Sequence, residues 1–384
     1  MKIAFLINSL TSGGAEKIVV TIIDELKKEN TNIELICLEK NNFYDLPNNI
    51  KVTYLTDNSK KSSGIRKLLE LPFLSLKLKE HVKENNIQII QSHLYRANYI
   101  NVLSNLFGSK HKSQIVNHGI ASRYKKKGLL GKINLFLIQN LYTKADKVIT
   151  ISKEMKNDLN NLFKFNNTQL VINNPYDLRS INILKDQEIT EFVFDSQKKY
   201  LITMGRLINL KRYSDVIKSL KDLNESIELI LLGDGEEKEN LKILTNDLNL
   251  EKRIHFIGNV QNPFKYLSKS DIFILSSETE GFPNSLIEAL ACGLTVISSD
   301  CISGPREILA PNTNSSILSK NKFEIHEYGI LYPTGDIEEL SNSILYLFEN
   351  INFKLELEKK SIIRANDFSV ERIITQYKKV LELE

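Results

Sequence analysis

Short apolar runs alternate with longer amphipathic segments along most of the chain. The first run, "KIAFLIN", precedes "GAEKIVVTIIDELKKE", in which apolar residues recur at the spacing of one helix face. Further apolar runs are "IELICL", "VTYL", "IQIIQS", "QIVNHG", "KVITIS", "KYLITMG", "SIELILLGDG", "RIHFIGNV", "DIFILSS" and "LTVISSD". Strands that are buried on both faces are apolar throughout, and helices connect parallel neighbours. The pattern predicts an α/β protein whose parallel sheets are covered by helices on both faces.

The alternation is interrupted between residues 173 and 199, a stretch that begins Asn-Asn-Pro and carries scattered polar side chains. We therefore predict two doubly wound, Rossmann-like domains at 1–175 and 199–365, joined by a linker at 176–198. The segment 366–384 contains an amphipathic helix without a following strand, and we predict that it packs back on the first domain. Ligands of such sheets bind beyond the carboxyl ends of the strands, so binding motifs are expected just after strands.

Composition narrows the class of protein. The chain has 384 residues, of which 42% are hydrophobic and 26% charged, as expected for folded domains rather than a disordered chain. Three scattered cysteines, Cys37, Cys292 and Cys301, are typical of a reducing compartment and give no metal-site spacing. The apolar start has the character of a signal peptide, but it is short and runs into Thr-Ser-Gly-Gly-Ala-Glu, so we expect a first strand there instead. No apolar run reaches the roughly 18 residues of a membrane span.

Charge is distributed unevenly although the whole chain carries only +4. Residues 1–175 contain 26 Lys and Arg against 14 Asp and Glu, whereas residues 176–384 contain 25 against 33. The first half is therefore at +12 and the second at −8. This asymmetry predicts that the first half faces an anionic partner, which could be a membrane, a nucleic acid or a phosphorylated substrate. Drift of surface charge is the alternative.

Two motifs place flexible backbone or cations after predicted strands. In "NSLTSGGAEK", Gly13 and Gly14 allow close backbone approach at a helix start that favours an anion, although a tight structural turn would have the same sequence. This is not the dinucleotide fingerprint. In "TMGRLINLKRYSDV", Arg206 and Lys211 are suited to holding a diphosphate, the alternative being a solvated loop.

A third motif, "SETEGFPNSLIEALACGLTVISSD", is the most specific. Glu280 follows the buried run "DIFILSS", Pro283 suits a helix start, and Glu288 lies one to two turns into that helix. The amides of 282–286 are then available to hydroxyls or phosphate oxygens, and carboxylates accept bonds from vicinal sugar hydroxyls. Two acids flanking an amide-lined helix start match the ribose, diphosphate and sugar of a nucleotide sugar. One capping acid and one surface acid would be the alternative.

The order of these motifs, together with His118, an Asn-Pro and a Gly-Pro-Arg-Glu at 304–307, resembles the family 4 retaining glycosyltransferases. The resemblance covers nearly the whole chain and implies the GT-B fold, with two Rossmann-like domains facing across a cleft. Within the family, the chain is similar to bacterial enzymes that extend lipid-diphosphate-linked glycans, including N-acetylgalactosaminyltransferases.

The resemblance implies a role for each matching residue. The catalytic set is Glu280, His118, Arg206 and Lys211. The donor-binding set is Gly13, Gly14, Arg206, Lys211, Asn259, Val260, Glu280, Gly281, Phe282, Pro283, Asn284, Ser285, Leu286 and Glu288. In it, Arg206 and Lys211 hold the diphosphate, Glu280 lies near the transferred sugar and Glu288 binds the ribose. Asn259 and Val260 line the base, and His118 lies at the sugar. His93 is interpreted as structural or acceptor-side.

The implied reaction transfers a hexose or N-acetylhexosamine, with retention, from a UDP-sugar to a lipid-diphosphate-linked oligosaccharide or a lipopolysaccharide or capsule glycan. The chain contains no Asp-x-Asp, so fixed cations and helix amides are expected to replace a metal, and no cofactor besides the co-substrate is expected. A UDP-sugar epimerase of the same architecture stays open as an alternative. A non-catalytic partner subunit is the other, against which the intact charged residues argue.

Two basic, leucine-rich segments predict a surface for the acceptor lipid. Residues 60–84 contain seven basic and three acidic residues, and 122–145 contain six basic residues and no acid. The cations assigned to acceptor or membrane are Arg66, Lys67, Lys77, Arg123, Lys125, Lys126 and Lys127. We expect a cytoplasmic protein, peripheral on the inner face of the cytoplasmic membrane. A solvated charged face is the alternative, and the lack of a known module argues against nucleic acid.

Overall fold

The computed structural model describes residues 1–11, 13–41, 43–47, 49–56 and 64–383. The chain forms two compact units, one comprising Met1–Tyr176 with Val370–Glu384 and the other Asp177–Ser369. Each unit has its own seven-stranded sheet flanked by helices. The prediction of two Rossmann-like parallel-sheet domains is confirmed.

The sheet of the first unit is parallel throughout and has the order β3-β2-β1-β4-β5-β6-β7. Its strands are β1 Ile3–Ile7, β2 Ile33–Glu39, β3 Lys51–Thr56, β4 Ile89–His93, β5 Lys112–Asn117, β6 Lys147–Thr150 and β7 Thr168–Val171. Its helices up to Tyr176 are α1 Gly14–Lys27, α2 Gly64–Leu69, α3 Leu71–Asn85, α4 Tyr95–Leu106, α5 Gly128–Leu137 and α6 Lys153–Leu162. A 3-10 turn spans Ser122–Lys126 and a π turn spans Ile138–Tyr142.

The sheet of the second unit has the order β10-β9-β8-β11-β12-β14-β13. Its strands are β8 Lys199–Met204, β9 Ile227–Leu232, β10 Ile254–Gly258, β11 Ile272–Leu275, β12 Thr295–Ser299, β13 Glu324–His326 and β14 Gly329–Tyr332. Its helices are α7 Leu178–Leu184, α8 Tyr213–Ser219, α9 Lys238–Asp247, α10 Phe264–Leu267, α11 Asn284–Ala291, α12 Pro305–Leu309, α13 Ile337–Glu349 and α14 Ile351–Asn366. Short 3-10 turns span Asn209–Lys211 and Leu220–Asp222. Only β13, at the edge, runs antiparallel to its neighbour.

The central strands form the cores. All five residues of β1 are fully buried, and so are the first three residues of β11. This burial on both faces explains why their sequences are apolar throughout rather than alternating.

Each sheet has one switch point, where the chain changes the direction in which it adds strands. In the first unit it lies between β1 and β4, and in the second between β8 and β11. Loops leave the carboxyl ends of these adjacent strands in opposite directions, which opens the crevice where α/β sheets bind ligands. Gly13 and His93 follow or end the first pair of strands, whereas Lys211 and Glu280 follow the second pair.

The structure places two segments outside the main span of each predicted domain: the segment treated as a linker lies elsewhere than predicted, and the last helix lies where the prediction put it. Residues 177–198, treated above as linker, belong to the second unit, because α7 packs on α10 and α11. The last helix, α15 Val370–Val380, belongs to the first unit and packs on α1. The amide of Val370 donates to the carbonyl of Tyr176 (2.8 Å), and the Gln114 side chain donates to the carbonyl of Val380 (2.7 Å).

Candidate functional site

A charged pair lies at the switch point of the second unit. The Lys211 Nζ donates to Glu280 Oε1 at 2.6 Å, and the Ser277 hydroxyl donates to the same oxygen at 2.6 Å. The side chains of Lys211 and Glu280 are 21% and 12% exposed, so both are largely sheltered but within reach of a ligand. A sheltered ammonium beside a carboxylate gives this edge one donor for anionic oxygens and one acceptor for hydroxyls.

Backbone contacts fix the two loops that carry this pair. The Ser276 hydroxyl donates to the carbonyl of Lys211 (2.7 Å), and the amide of Glu278 donates to the carbonyl of Leu210 (2.9 Å). The ion pair therefore joins loops that are already tied to each other, which preorganises both side chains.

Close loop packing explains two glycines after β8 and β9. Gly205 and Gly233 have φ of +145° and +133°, and a Cβ on Gly233 would lie 2.0 Å from the carbonyl oxygen of Gly205. No other residue fits there, since both the backbone conformation and the space exclude a side chain. Arg206, the residue after Gly205, is exposed at this edge.

The helix start after Glu280 is bare of side-chain caps. Pro283 occupies the cap position of α11, and no side chain caps the helix there. Phe282 is buried and packs edge-on against Phe368 with ring centroids 5.3 Å apart, and Leu286 is fully buried. Their side chains belong to the core, and the Leu286 amide donates to the carbonyl of Pro283 (3.1 Å), so of the two residues only Phe282 could serve a ligand through its amide. Glu288, in the second turn, is buried to 7% exposure.

Asn259 and Val260 follow β10, the edge strand next to β9. Their loop begins at Gly258, whose φ is +87°. Asn259 is exposed and Val260 is partly buried, at the same carboxyl edge as Lys211 and Glu280. The second unit thus brings all the donor-side residues predicted within it to one edge of its sheet.

The corresponding edge of the first unit is built around two histidines. His93 Nδ1 and His118 Nε2 lie 2.9 Å apart, and Phe5 stacks on His93 with ring centroids 6.1 Å apart. Burial lowers the pKa of His118 to about 4 and the pKa of His93 well below its ordinary value. Both imidazoles are therefore neutral near pH 7, with one donating to the other. His93 was interpreted as structural or acceptor-side, and it contacts the predicted site residue directly.

The glycine loop after β1 is closed by a side chain of its own helix. A Cβ on Gly13 would lie 2.2 Å from Glu16 Oε2, and the Thr11 hydroxyl donates to Glu16 Oε1 at 2.9 Å. Glu16 is buried, and its carboxylate lies at the start of α1, the position that the sequence predicted for a bound anion. Gly14 is the first residue of α1, and Ser12 of this motif lies outside the described residues.

The two basic segments of the first unit expose apolar side chains beside their cations. Leu69 in α2 is 76% exposed, Phe73 in α3 58%, and Leu129 and Phe136 in α5 75% and 64%. The two segments adjoin, because a Cβ on Gly64 would lie 3.8 Å from Leu130 Cδ1. Lys60 and Lys61, which belong to the predicted surface, lie outside the described residues.

The cations of this surface are not equivalent. Lys77 is folded onto the protein, with Nζ 4.8 Å from the centroid of the Phe73 ring and donating to the carbonyl of Leu55 at 3.1 Å. Arg66 pairs with Glu70 at 3.2 Å. Arg123 and Lys127 each lie 5.7 Å from the centroid of the Tyr124 ring, while Lys125 and Lys126 share their short turn. Lys67 lies on α2 beside Arg66.

Two properties concern the described residues as a whole. Across them, every helix is too short or too polar to traverse a lipid bilayer. Within the same ranges, no three His, Cys, Asp or Glu side chains come together in a way that could hold a metal ion.

Comparison with known proteins identifies the family. The model for glycosyl transferases group 1 matches residues 185–365, and the model for glycosyltransferase family 4 matches residues 12–180. An uncharacterised glycosyltransferase of Methanocaldococcus jannaschii is 32% identical over 286 residues, covering 67% of this chain and 68% of that protein. The chain belongs to the family 4 and group 1 glycosyltransferases.

Two further relatives bear on this glycosyltransferase. The N-acetylgalactosamine-N,N'-diacetylbacillosaminyl-diphospho-undecaprenol 4-alpha-N-acetylgalactosaminyltransferase of Campylobacter jejuni is 29% identical over 374 residues, 97% of each chain. The crystal structure of Anabaena HepE in complex with UDP superposes with a TM-score of 0.79 and 20% identity, covering 100% of both chains. The latter likeness confirms the GT-B fold class.

Sequence reasoning on the glycosyltransferase missed the groups that hold its charged pair in place. Ser276 and Ser277 follow the run "DIFIL" directly, and their position at a strand end was the signal available. Cys301 is buried near the pair, and burial raises the pKa of its thiol. The Gly-Pro-Arg-Glu motif contributed only to the resemblance, without a role.

Proposed function

We propose that this glycosyltransferase transfers a hexose or N-acetylhexosamine, with retention, from a UDP-sugar to a lipid-diphosphate-linked oligosaccharide or a lipopolysaccharide or capsule glycan. The observation that carries the proposal is the preorganised Lys211–Glu280 pair beside the uncapped start of α11. The names of relatives support the substrate classes: the Campylobacter enzyme is named for a diphospho-undecaprenol acceptor, and HepE was solved with UDP.

Each group at the edge suits one part of a UDP-sugar. Lys211 and exposed Arg206 bind the diphosphate, aided by the positive end of the α11 dipole, where no side chain caps the helix. The Glu280 carboxylate accepts hydroxyls of the transferred sugar, and Glu288 accepts those of the ribose. Asn259 and Val260 line the base. The role of His118 at the transferred sugar rests on the family resemblance alone.

The reaction needs no protein nucleophile. The bond between the anomeric carbon and the UDP oxygen breaks first, and Lys211 and Arg206 stabilise the negative charge that grows on the diphosphate. The acceptor hydroxyl then forms its bond to the same face of the anomeric carbon, and its proton passes to the departing phosphate oxygen. Configuration is retained and the charges balance without a metal.

The exposed apolar and basic side chains of α2, α3 and α5 support a peripheral membrane position. Cations attract anionic headgroups, while side chains such as Leu69, Leu129 and Phe136 can enter the headgroup region. The proposal places this face on the inner surface of the cytoplasmic membrane, where a lipid-linked acceptor would be delivered.

A donor-release screen tests the function. Purified protein would be incubated with a panel of UDP-sugars, with and without extracted polyprenyl-diphosphate glycans, and both UDP release and lipid-linked product would be measured. We expect one donor to give product and UDP in equal amounts, only with acceptor. Interconversion of UDP-sugars without acceptor would instead identify an epimerase. Absence of UDP binding and of any turnover would contradict the proposal.

A further inference from the structure

The Gly-Pro-Arg-Glu motif spans the end of the turn 300–304 and the start of α12, and the backbone of this turn is unusual. Ser303 has φ of +68° and Gly304 φ of +93°. A serine in the left-handed region is uncommon and costs free energy, so such a turn persists only where its surroundings enforce it. The surroundings here are a buried ion pair on one side and the Glu280 loop on the other.

The ion pair anchors the base of this turn. Arg306 Nε donates to Asp300 Oδ2 at 3.0 Å and to Oδ1 at 3.2 Å, and Nη2 donates to Oδ2 as well. The amide of Ser319 also donates to Asp300 (2.6 Å), and Arg306 reaches Glu324 at 2.8 Å. Arg306 is 6% exposed and Asp300 1%. Separating the two side chains would leave an uncompensated charge in the interior, which is costly in free energy. The pair therefore holds the base of the turn in one arrangement.

The other side of the turn holds the Glu280 loop along its length. The Ser303 hydroxyl donates to the carbonyl of Gly281 at 2.7 Å. Thr279 forms an isolated parallel β-bridge with Ile302, whose carbonyl accepts the Glu280 amide at 3.4 Å. A Cβ on Gly304 would lie 2.5 Å from Pro283 Cδ, so the turn packs directly against the cap of α11.

We propose that the turn 300–304, anchored by Arg306, positions the Glu280 carboxylate and the start of α11 for catalysis. Glu280 lies in irregular backbone between β11 and α11, so contacts rather than helix or strand bonds must fix it. Ser303 and Arg306 are positioning residues in this scheme, acting through residues 279–283. The proposal rests on the proposed function, since it assigns a task to the same donor site.

The test compares Ser303→Ala with Ser361→Ala. Alanine keeps the backbone constraint of serine and removes only the hydroxyl. Ser361 is a matched control, because its hydroxyl also donates to a carbonyl at 2.7 Å, that of Leu294, just before the amino end of β12. Four quantities are measured: amide hydrogen exchange at 279–282, kcat, KM for the donor, and the melting temperature. Arg306→Lys, which keeps the charge and loses the forked geometry, serves as a second variant.

We expect Ser303→Ala to speed amide exchange at 279–282 and to lower kcat by about 5- to 10-fold, as loss of one hydrogen bond would, with donor KM nearly unchanged. Arg306→Lys should do the same, and Ser361→Ala should leave both readouts at wild-type values despite a similar loss of melting temperature. Wild-type exchange and kcat in Ser303→Ala, or an equal fall of kcat in Ser361→Ala, would overturn the proposal. If the wild type neither binds UDP nor transfers sugar, the proposed function fails, while the exchange comparison still decides whether the turn positions the loop.

Discussion

The carboxyl edges of the two sheets carry different charged groups, and neither follows the net charge of its half of the chain, since the second edge combines two cations with the acids Glu280 and Glu288. The first half carries +12 overall, yet the edge of its sheet has neutral histidines and a glycine loop closed by Glu16. The second half carries −8, yet its edge presents Lys211 and Arg206. Net charge therefore reports on the outer surface and its partners, while the chemistry of a site follows from the few side chains that the strand ends hold in place.

The largest expected loss of activity comes from removing the cations at the carboxyl edge of the second sheet. Lys211→Ala and Arg206→Ala should each slow sugar transfer by about 100-fold or more, because each removes stabilisation that grows as the diphosphate leaves. Initial rates with saturating donor and acceptor measure the loss. Added EDTA should change little.

Lys360→Ala is the control for this prediction. Lys360 pairs with Glu356 on α14 at the same 2.6 Å, so its removal deletes a comparable ion pair outside the predicted site. Wild-type transfer by Lys211→Ala, or a strict need for a metal ion, would contradict the account of the leaving group.

The next largest effect should be a loss of folding stability in acid, which we expect to begin at higher pH in the first unit than in the second. The folded first unit keeps His118, His111 and His93 neutral, because burial lowers the pKa of His118 and His111 to about 4 and holds the pKa of His93 well below its ordinary value. The unfolded chain binds protons at the ordinary histidine pKa, so stability falls as pH falls from about 6.5 towards 4. Each unit of pKa difference is worth about 1.4 kcal/mol, so the loss should reach a few kcal/mol.

Amide hydrogen exchange across this pH range reports on both units at once. In the second unit, burial raises the pKa of Glu324, but the hydrogen bond from Arg306 outweighs it and the net pKa is lowered. The stability that ionised Glu324 contributes is therefore lost only at more acidic pH than the histidine contribution. We expect protection in β4 and β5 to be lost at higher pH than protection in β8 and β11. Equal loss in both units, or earlier loss in the second, would refute the assignment of neutral buried histidines.

Substitutions of Glu280 and Glu288 should have different effects, one mainly on turnover and the other mainly on UDP binding. Glu288→Ala should weaken UDP binding by about 5- to 150-fold, since a charged hydrogen-bond partner of about 1–3 kcal/mol is lost in ground and transition states alike. Glu280→Ala should lower kcat more than donor affinity. Calorimetry with UDP and initial rates measure the two. Normal UDP affinity in Glu288→Ala would remove the ribose assignment.

Of the fourteen described strands, the sequence predicts eleven and misses β7, β13 and β14. It also predicts the positions of the charged residues that follow the strands, because buried parallel strands are apolar and their ends bind ligands. It does not predict the contact between Lys211 and Glu280, which are 69 residues apart and meet because β8 and β11 are neighbours. His93 meets His118 for a similar reason, since β4 and β5 pair with His93 opposite Val116. Helix α7 was missed because only Ile181 of its residues is buried, which leaves little apolar periodicity.

The smallest effect on the chemistry should come from the outer surface of the first unit. Changing Arg123, Lys125, Lys126 and Lys127 together to glutamine removes cations that each contribute about 1 kcal/mol near anionic lipid, screened beyond roughly 8–10 Å at physiological salt. Co-sedimentation with anionic liposomes should fall and become less sensitive to salt, and transfer to a lipid-linked acceptor should drop. Hydrolysis of the donor without acceptor should be little changed, because the second edge is untouched. The exposed side chains of Leu129 and Phe136 should leave some binding that salt does not remove. Equal sedimentation of variant and wild type would exclude this turn from the membrane surface and leave the charge of the first half without an assigned partner.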